Sequence, residues 1–197
     1  FNLGDKKFVS FSCGHMTLLS LLQAETNNLA VQSKDGKTLY PFQVDTTKFM
    51  QQSGFRALLN LDMGLGKTPI VCAAFRTYPE LLPAIIVCKS SLKAQWMQML
   101  WNWGDKMSQM VETSNDLLLP EFFPVAIISF DILRRMKISD EVRLKYKTVI
   151  IDETQNIKSP DTKRTQEVRK LCKDAPHTIG LSGTPIKNNG TEYFTIL

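Results

Sequence analysis

Cysteine and histidine are scarce in this sequence, and neither residue is arranged as a metal site or a disulfide framework requires. The 197 residues include four cysteines and two histidines. The cysteines are scattered, without the short paired spacing of a zinc site or the regular pattern of a small secreted protein. Free thiols fit a reducing, intracellular compartment, which leaves a nuclear, bacterial cytoplasmic or viral setting open. The four cysteines are Cys13, Cys72, Cys88 and Cys172.

Long apolar runs are also absent from the sequence. No stretch approaches the roughly 20 apolar residues that cross a bilayer, so we expect no membrane partner. No basic segment or cleavage site follows Phe1, and no secretory signal is expected. With 43% hydrophobic and 22% charged residues, the composition is typical of a globular protein. The net charge of +5 favours a polyanionic partner without establishing one.

The first 38 residues differ from the rest of the chain and are predicted to form a small accessory segment. The alternating run Lys6–Cys13 predicts a strand, and Thr17–Ala24 predicts a short apolar helix. The sequence KDGK at Lys34–Lys37 is typical of a tight turn between two short strands. We assign residues 39–197 to a second, larger unit.

From Leu39 onward, helical and strand patterns alternate. Continuous apolar runs predict strands that are buried on both faces. The predicted strands are Arg56–Leu61, Ala84–Cys88, Val125–Ser129, Thr148–Ile151 and Thr178–Leu181. The predicted helices are Pro41–Met50, Lys67–Arg76, Leu92–Trp103, one from about Asp131, and Asp161–Cys172. This alternation predicts an α/β fold, with a parallel sheet covered by helices on both faces and ligands bound beyond the carboxyl ends of its strands.

The strongest chemical signal is a glycine-rich loop between a predicted strand and a predicted helix. Gly64, Gly66, Lys67 and Thr68 belong to the sequence GLGKT, in the context that a phosphate-binding loop requires. Backbone N–H groups and the helix N-terminus attract phosphates, Lys67 would reach the β- and γ-phosphates, and Thr68 would hold Mg²⁺. The general pattern has glycine five positions before Gly66, where this chain has Leu61.

Two further polar segments follow predicted strands. Asp152 and Glu153 end the run TVIIDE, where Asp152 would orient Mg²⁺ and Glu153 would act as general base toward the attacking water. An acidic pair after a strand is often only a solvated turn or a helix cap, and the phosphate loop favours the catalytic interpretation. The segment at Ser182, Gly183 and Thr184 has hydroxyl groups that can bond a neighbouring loop, although glycine and proline there also suit a simple turn.

Six segments of the sequence resemble, in the same order, the successive motifs of the first lobe of Swi/Snf-type ATPases. They are PFQ, DMGLGKT, SSLKAQW, ISFDILRR, DETQNIKSPDTKRTQ and LSGTPIKNN. These ATPases belong to the second helicase superfamily, and the resemblance covers residues from about Leu39 to the C-terminus. It implies a RecA-like lobe of an ATP-dependent, double-stranded DNA translocase that uses ATP and Mg²⁺. The stretch SGFRALLNLDMGLGKT is similar in particular to the annealing-helicase branch.

The resemblance also implies roles for individual residues. Gln43 matches the glutamine that recognises adenine, and Gln155 stands where many relatives have histidine and can still bond Ser182 or Thr184. The predicted nucleotide contacts are Gln43, Met63, Gly64, Leu65, Gly66, Lys67 and Thr68. The predicted catalytic residues are Glu153 and Lys67, and the predicted Mg²⁺ ligands are Thr68 and Asp152. The segments that match DNA-tracking motifs contain Lys89, Ser90, Ser91 and Ser129.

The family places a transition-state arginine on a second lobe, and we expect slow turnover from this lobe alone. Trp96 has the helical spacing of a core residue, although tryptophan can also stack on bases. Two other functions stay open at this point. One is an RNA helicase lobe of the DEAD/DEAH type, although the acidic loop reads DETQ. The other is a non-catalytic ATP-binding module that recruits partners, which the intact loop and acidic pair disfavour.

Overall fold

The computed structural model describes residues 31–157 and 159–183 in full, together with the backbone of three short strands before residue 31. The predicted helix Thr17–Ala24 and Thr184, one of the two predicted partners of Gln155, lie outside the described residues. In the fully described part, no helix is both long and apolar enough to cross a bilayer.

Within the residues that the structure describes, seven strands form one parallel sheet and two more pair separately. In chain order the strands are β1 Asn2–Leu3, β2 Lys6–Lys7, β3 Val9–Ser12, β4 Arg56–Asn60, β5 Ala84–Cys88, β6 Ser108–Met110, β7 Val125–Ser129, β8 Thr148–Asp152 and β9 His177–Ser182. The large sheet has the order β3-β4-β9-β8-β5-β7-β6, and all its neighbours are parallel. The strands β1 and β2 pair with each other in an antiparallel ribbon.

Helices connect the parallel strands, as crossover connections require. They are α1 Pro41–Gln52, α2 Lys67–Thr77, α3 Lys93–Met99, α4 Phe130–Leu133, α5 Asp140–Arg143 and α6 Lys163–Asp174. A wider π-helical turn over Leu100–Gly104 continues α3. Short 3₁₀ turns lie at Pro79–Leu81, Ser90–Leu92 and Thr154–Ile157.

The core has two layers, one on each face of the sheet. In β5, Ile86 points to the layer that packs against α1, α2 and α3, whereas Ile85 and Val87 point to the layer beneath α4 and α6. All five residues of β5, β7 and β8 are buried, because these strands are covered on both sides. The predicted α/β fold with a parallel, doubly covered sheet is therefore confirmed.

The structure differs from the sequence prediction mainly at the edges of the sheet. Strand β6 was not predicted, because Ser108–Met110 is short, contains two polar residues and is half-buried at an edge. The predicted strand Lys6–Cys13 is divided, and its second part, Val9–Ser12, pairs with β4 in the main sheet. The KDGK turn is present, closed by a bridge between Gln32 and Thr38. The division of the chain at residue 38 stays a prediction.

Candidate functional site

The glycine loop joins β4 to α2 at the carboxyl edge of the sheet. Gly64 and Gly66 have φ angles of 86° and 76°, in the left-handed region that strains residues with a Cβ. Gly66 is the N-cap residue of α2, so Lys67 and Thr68 occupy the first turn of that helix. The free N–H groups of this turn and the helix dipole make the loop a suitable site for an anion.

Gln43 joins α1 to the glycine loop through both ends of its amide. Its Oε1 accepts a hydrogen bond from the Tyr40 N–H at 2.9 Å, and its Nε2 donates to the Leu65 carbonyl at 3.0 Å. The side chain is 5% exposed, so the amide is held in place by packing as well. Any Cβ on Gly66 would overlap Gln43 Nε2, which explains why the loop has glycine at that position.

Lys67 reaches back across the loop. Its Nζ donates to the Leu61 carbonyl at 2.7 Å and to the Asp62 carbonyl at 3.2 Å. Gly183, which follows β9, lies close to this lysine. A Cβ added at Gly183 would be 3.6 Å from Lys67 Nζ and 3.3 Å from Met63 Cγ. The absence of a side chain at Gly183 leaves room for the lysine at the end of the sheet.

Asp152 is the last residue of β8 and is 8% exposed. Burial raises the pKa of this carboxyl, and the nearby Glu153 raises it further. A hydrogen bond from Trp96, together with the charge of Lys67, acts in the opposite direction on the same pKa. The indole Nε1–H of Trp96 donates to Asp152 Oδ2 at 2.8 Å.

Glu153 has a φ of 57°, an uncommon backbone conformation for a residue with a side chain. The carbonyl of Glu153 accepts hydrogen bonds from the backbone and side-chain amides of Asn156, at 2.9 and 2.8 Å. Gln155 Nε2 donates to the Glu153 carboxylate, and Ser182 Oγ donates to Gln155 Oε1 at 3.1 Å. The predicted contact between Gln155 and Ser182 is therefore present, and it extends from β9 to Glu153.

Gln43, the glycine loop with Lys67 and Thr68, and the pair Asp152 and Glu153 line one cleft of about 760 Å³, whereas Gln155 and Ser182 lie behind this lining. Several of its lining residues were not assigned to the site from the sequence, because their patterns indicated only a turn or a helix. These are Gly36 and Lys37 of the KDGK turn, the adjacent Thr38, Tyr40, Pro69 in the first turn of α2, and Leu92, Gln95, Trp96, Met99 and Trp103 of the α3 region. The helical spacing correctly predicted that Trp96 is buried, and it is 1% exposed, but the spacing carried no signal for its bond to Asp152.

The donors in the cleft fit a nucleotide bound with a divalent cation. The loop supplies N–H donors and a lysine for phosphates, with the Gln43 amide 3.0 Å from the loop carbonyl of Leu65. A buried carboxylate at Asp152 and a hydroxyl at Thr68 border the same cleft, and both are oxygen ligands of the kind that Mg²⁺ prefers.

The predicted DNA-contacting residues lie in two different environments. Lys89, Ser90 and Ser91 are exposed and follow β5 at the carboxyl edge of the sheet. Ser129, in contrast, is 2% exposed, and its Oγ accepts a hydrogen bond from the Ile132 N–H at 3.2 Å. The hydroxyl of Ser129 thus caps α4, and a DNA contact there stays a prediction.

Comparisons with known protein families, sequences and structures agree on the family to which this chain belongs. Residues 21–197 match the model of the SNF2-related domain. The chain is 32% identical, over 184 residues, to the Xenopus laevis protein named SWI/SNF-related matrix-associated actin-dependent regulator of chromatin subfamily A-like protein 1, with 91% of this chain and 19% of that protein covered. It is 27% identical, over 163 residues, to human DNA annealing helicase and endonuclease ZRANB3, with 79% and 15% covered.

A solved structure has the same fold. The Sulfolobus solfataricus SWI2/SNF2 ATPase core in complex with dsDNA matches with a TM-score of 0.71 and 27% identity, over 85% of this chain and 36% of that one. The chain therefore spans about a fifth of the length of the first of these relatives and about a third of the solved core.

Proposed function

Because this chain belongs to the SNF2-related domain family, we propose that it is the ATP-binding, first RecA-like lobe of an ATP-driven translocase on double-stranded DNA, of the remodelling or annealing-helicase type. The observation that carries the proposal is the convergence of three groups on one cleft: the Gln43 amide, the Gly64–Thr68 loop and the pair Asp152 and Glu153. They come from three separate parts of the chain and meet at the edge where parallel sheets bind ligands.

Nucleotide binding begins with Gln43 and the glycine loop. One amide hydrogen and one Oε1 lone pair of Gln43 remain after its bonds to Leu65 and Tyr40, and this pair of groups complements the edge of adenine. Lys67 would leave the carbonyls of Leu61 and Asp62 and turn its Nζ toward the phosphates. The first-turn N–H groups of α2 would donate to the same oxygens.

Thr68 and Asp152 would hold Mg²⁺, which when bound would supply positive charge to neutralise the phosphates. Glu153 would take up a proton from the attacking water. Gln155 bonds the Glu153 carboxylate and so orients it. Ser182 bonds Gln155, which links the base to the end of β9 and to the segment that follows.

Double-stranded DNA is the proposed partner of the exposed segment Lys89–Ser91. A lysine and two hydroxyls after a parallel strand suit contacts to phosphates, which position the protein without reading sequence. A second RecA-like lobe is the other proposed partner, and it would supply the arginine that stabilises transition-state charge. The proposed setting is intracellular, since the buried Cys72 and Cys88 are free thiols.

The test compares Glu153→Gln with Lys67→Ala in the full-length protein. Glu153→Gln keeps the shape of the side chain but removes the base, so it should retain ATP binding and lose DNA-stimulated hydrolysis. Lys67→Ala removes a phosphate contact and should lower ATP affinity about tenfold or more, or about 1.4 kcal/mol. Nucleotide titration and phosphate release with duplex DNA or RNA measure both effects.

Different results would favour the other functions. Hydrolysis by Glu153→Gln at close to the parental rate would exclude Glu153 as the base. ATP binding without hydrolysis in the parent, with either nucleic acid present, would favour a recruitment module. Stimulation by RNA but not by duplex DNA would favour an RNA helicase.

A further inference from the structure

Trp96 makes a buried polar contact that the proposed reaction does not yet use. Its side chain is 1% exposed, and its indole N–H donates to Asp152 Oδ2 at 2.8 Å across 56 positions of the chain. Buried tryptophan usually satisfies its N–H, and a backbone carbonyl is an adequate acceptor for that purpose. Here the acceptor is the carboxylate proposed to hold Mg²⁺.

The contact fixes one oxygen of the carboxylate. With Oδ2 engaged by the indole, the rotation of the Asp152 side chain is restricted, and Oδ1 remains for another ligand. The carboxylate of Asp152 accepts hydrogen bonds from the side chain of Trp96 and from the backbone N–H of Glu153. An outer hydrogen bond of this kind orients a metal ligand and strengthens its binding of the metal.

Trp96 also connects the carboxylate to α3. This helix begins at Lys93, whose buried Nζ donates to the Val111 carbonyl and to Glu112, each at 2.8 Å. The helix follows the Ser90–Leu92 turn without a break, so it is attached to the exposed Lys89–Ser91 segment. Trp96 therefore joins a helix anchored at both its start and its middle to the end of β8.

We propose that Trp96 is a positioning residue for the divalent cation: its indole N–H holds Asp152 Oδ2 so that the carboxylate presents its other oxygen to Mg²⁺ bound with the nucleotide. This inference rests on the proposed function of the site. It assigns Trp96 no contact with the nucleotide or with the reacting atoms. Its effect passes through the carboxylate of Asp152.

A purely structural role for Trp96 makes a different prediction. If the ring only fills the core, removing its N–H changes stability and leaves the response to Mg²⁺ as it was. If the N–H positions Asp152, nucleotide affinity in Mg²⁺ falls while affinity in EDTA is preserved, because the glycine loop and Gln43 are not touched. The ratio of the two affinities distinguishes the roles.

The test uses two replacements of Trp96 in the full-length protein. Genetic encoding of 3-benzothienylalanine replaces the indole N–H by sulfur and keeps both rings, so the core remains filled. Trp96→Phe is the simpler variant and also loses volume. The matched control is the same analogue at Trp101, which is 52% exposed and is not among the residues that line the cleft. The probe is a fluorescent ATP analogue, titrated with Mg²⁺ and separately in EDTA.

In the benzothienyl variant, we expect the Mg²⁺ concentration that gives a half-maximal increase in binding of the fluorescent ATP analogue to rise about tenfold. This rise is within the range found for outer-shell partners of metal ligands. Affinity in EDTA should match the parent within about twofold, and the Trp101 control should match it throughout. A parental response to Mg²⁺ in the benzothienyl variant, or equal losses with and without Mg²⁺, would overturn the proposal. Absence of nucleotide binding by the parent would instead refute the proposed function itself.

Discussion

Replacing Gly66 by alanine tests how the glycine loop holds Gln43. Alanine at this position would meet two obstacles, a φ of 76° and overlap of its Cβ with Gln43 Nε2. The overlapping atom is the far end of a flexible side chain, so the amide yields rather than the backbone. We expect Gln43 to leave its place between Tyr40 and Leu65, with the loss of its two side-chain hydrogen bonds.

The size of the effect follows from these contacts. Left-handed backbone costs an alanine about 1–2 kcal/mol. The two lost hydrogen bonds add about 1–3 kcal/mol together, at about 0.5–1.5 kcal/mol each. The second contribution falls on the group proposed to recognise adenine. We therefore expect Gly66→Ala to lower the preference for ATP over GTP about tenfold, or about 1.4 kcal/mol.

Gly64→Ala is the matched control, because it introduces the backbone strain without the overlap. Gly64 has a similar φ of 86°, and no described atom lies within 4 Å of a Cβ built there. The assay is competitive binding of ATP and GTP to both variants, with urea unfolding as the measure of stability. Equal ATP preference in the two variants would refute the reasoning, since the overlap with Gln43 would then have no consequence.

Two further predictions concern the core and the DNA segment. Gly180→Ala should reduce the free energy of unfolding, measured by urea titration, by about 1–3 kcal/mol. The reason is that the added Cβ would lie 2.8 Å from Thr154 Cγ2 and 2.9 Å from Leu58 Cδ1. An unchanged urea midpoint would show that the core adapts to the methyl group. Lys89→Ala should weaken binding to two DNA duplexes of unrelated sequence about equally, and it should flatten the slope of log affinity against log salt by about one unit. Weaker binding to one duplex alone would contradict a contact to phosphates.

The sequence was sufficient for the parts of the fold that depend on continuous apolar runs and local turn chemistry. Strands such as Ala84–Cys88 are buried on both faces and have the predicted bounds. The glycine loop was found because its residues are adjacent in the chain, between a strand and a helix. The edge strand β6 gave no such signal, because it is three residues long and has no apolar run.

Contacts between distant residues could not be predicted by the same reasoning. The bond from Trp96 to Asp152 depends on how α3 packs over β8, and helical spacing only predicts that Trp96 is buried. The KDGK turn was recognised as a turn, yet its place beside the cleft depends on contacts with the π-helical turn that continues α3 and with the residue that follows it. Lys34 N–H donates to the Asn102 carbonyl at 3.0 Å, and its Nζ pairs with Asp105 at 2.8 Å.

Leu61 departs from the general phosphate-loop pattern, and its surroundings explain why a leucine is accepted there. Its side chain is fully buried in the layer beneath α1 and α2, so a glycine would leave an unfilled space in the core. Both backbone groups of Leu61 are hydrogen-bonded: the N–H donates to the Ser182 carbonyl at 3.2 Å, and the carbonyl accepts from Lys67 Nζ. Position 61 thus continues the sheet pairing of β4 with β9, and the left-handed turns begin only at Gly64. The conformational freedom of glycine is required at Gly64 and Gly66, where φ is positive, and not at Leu61.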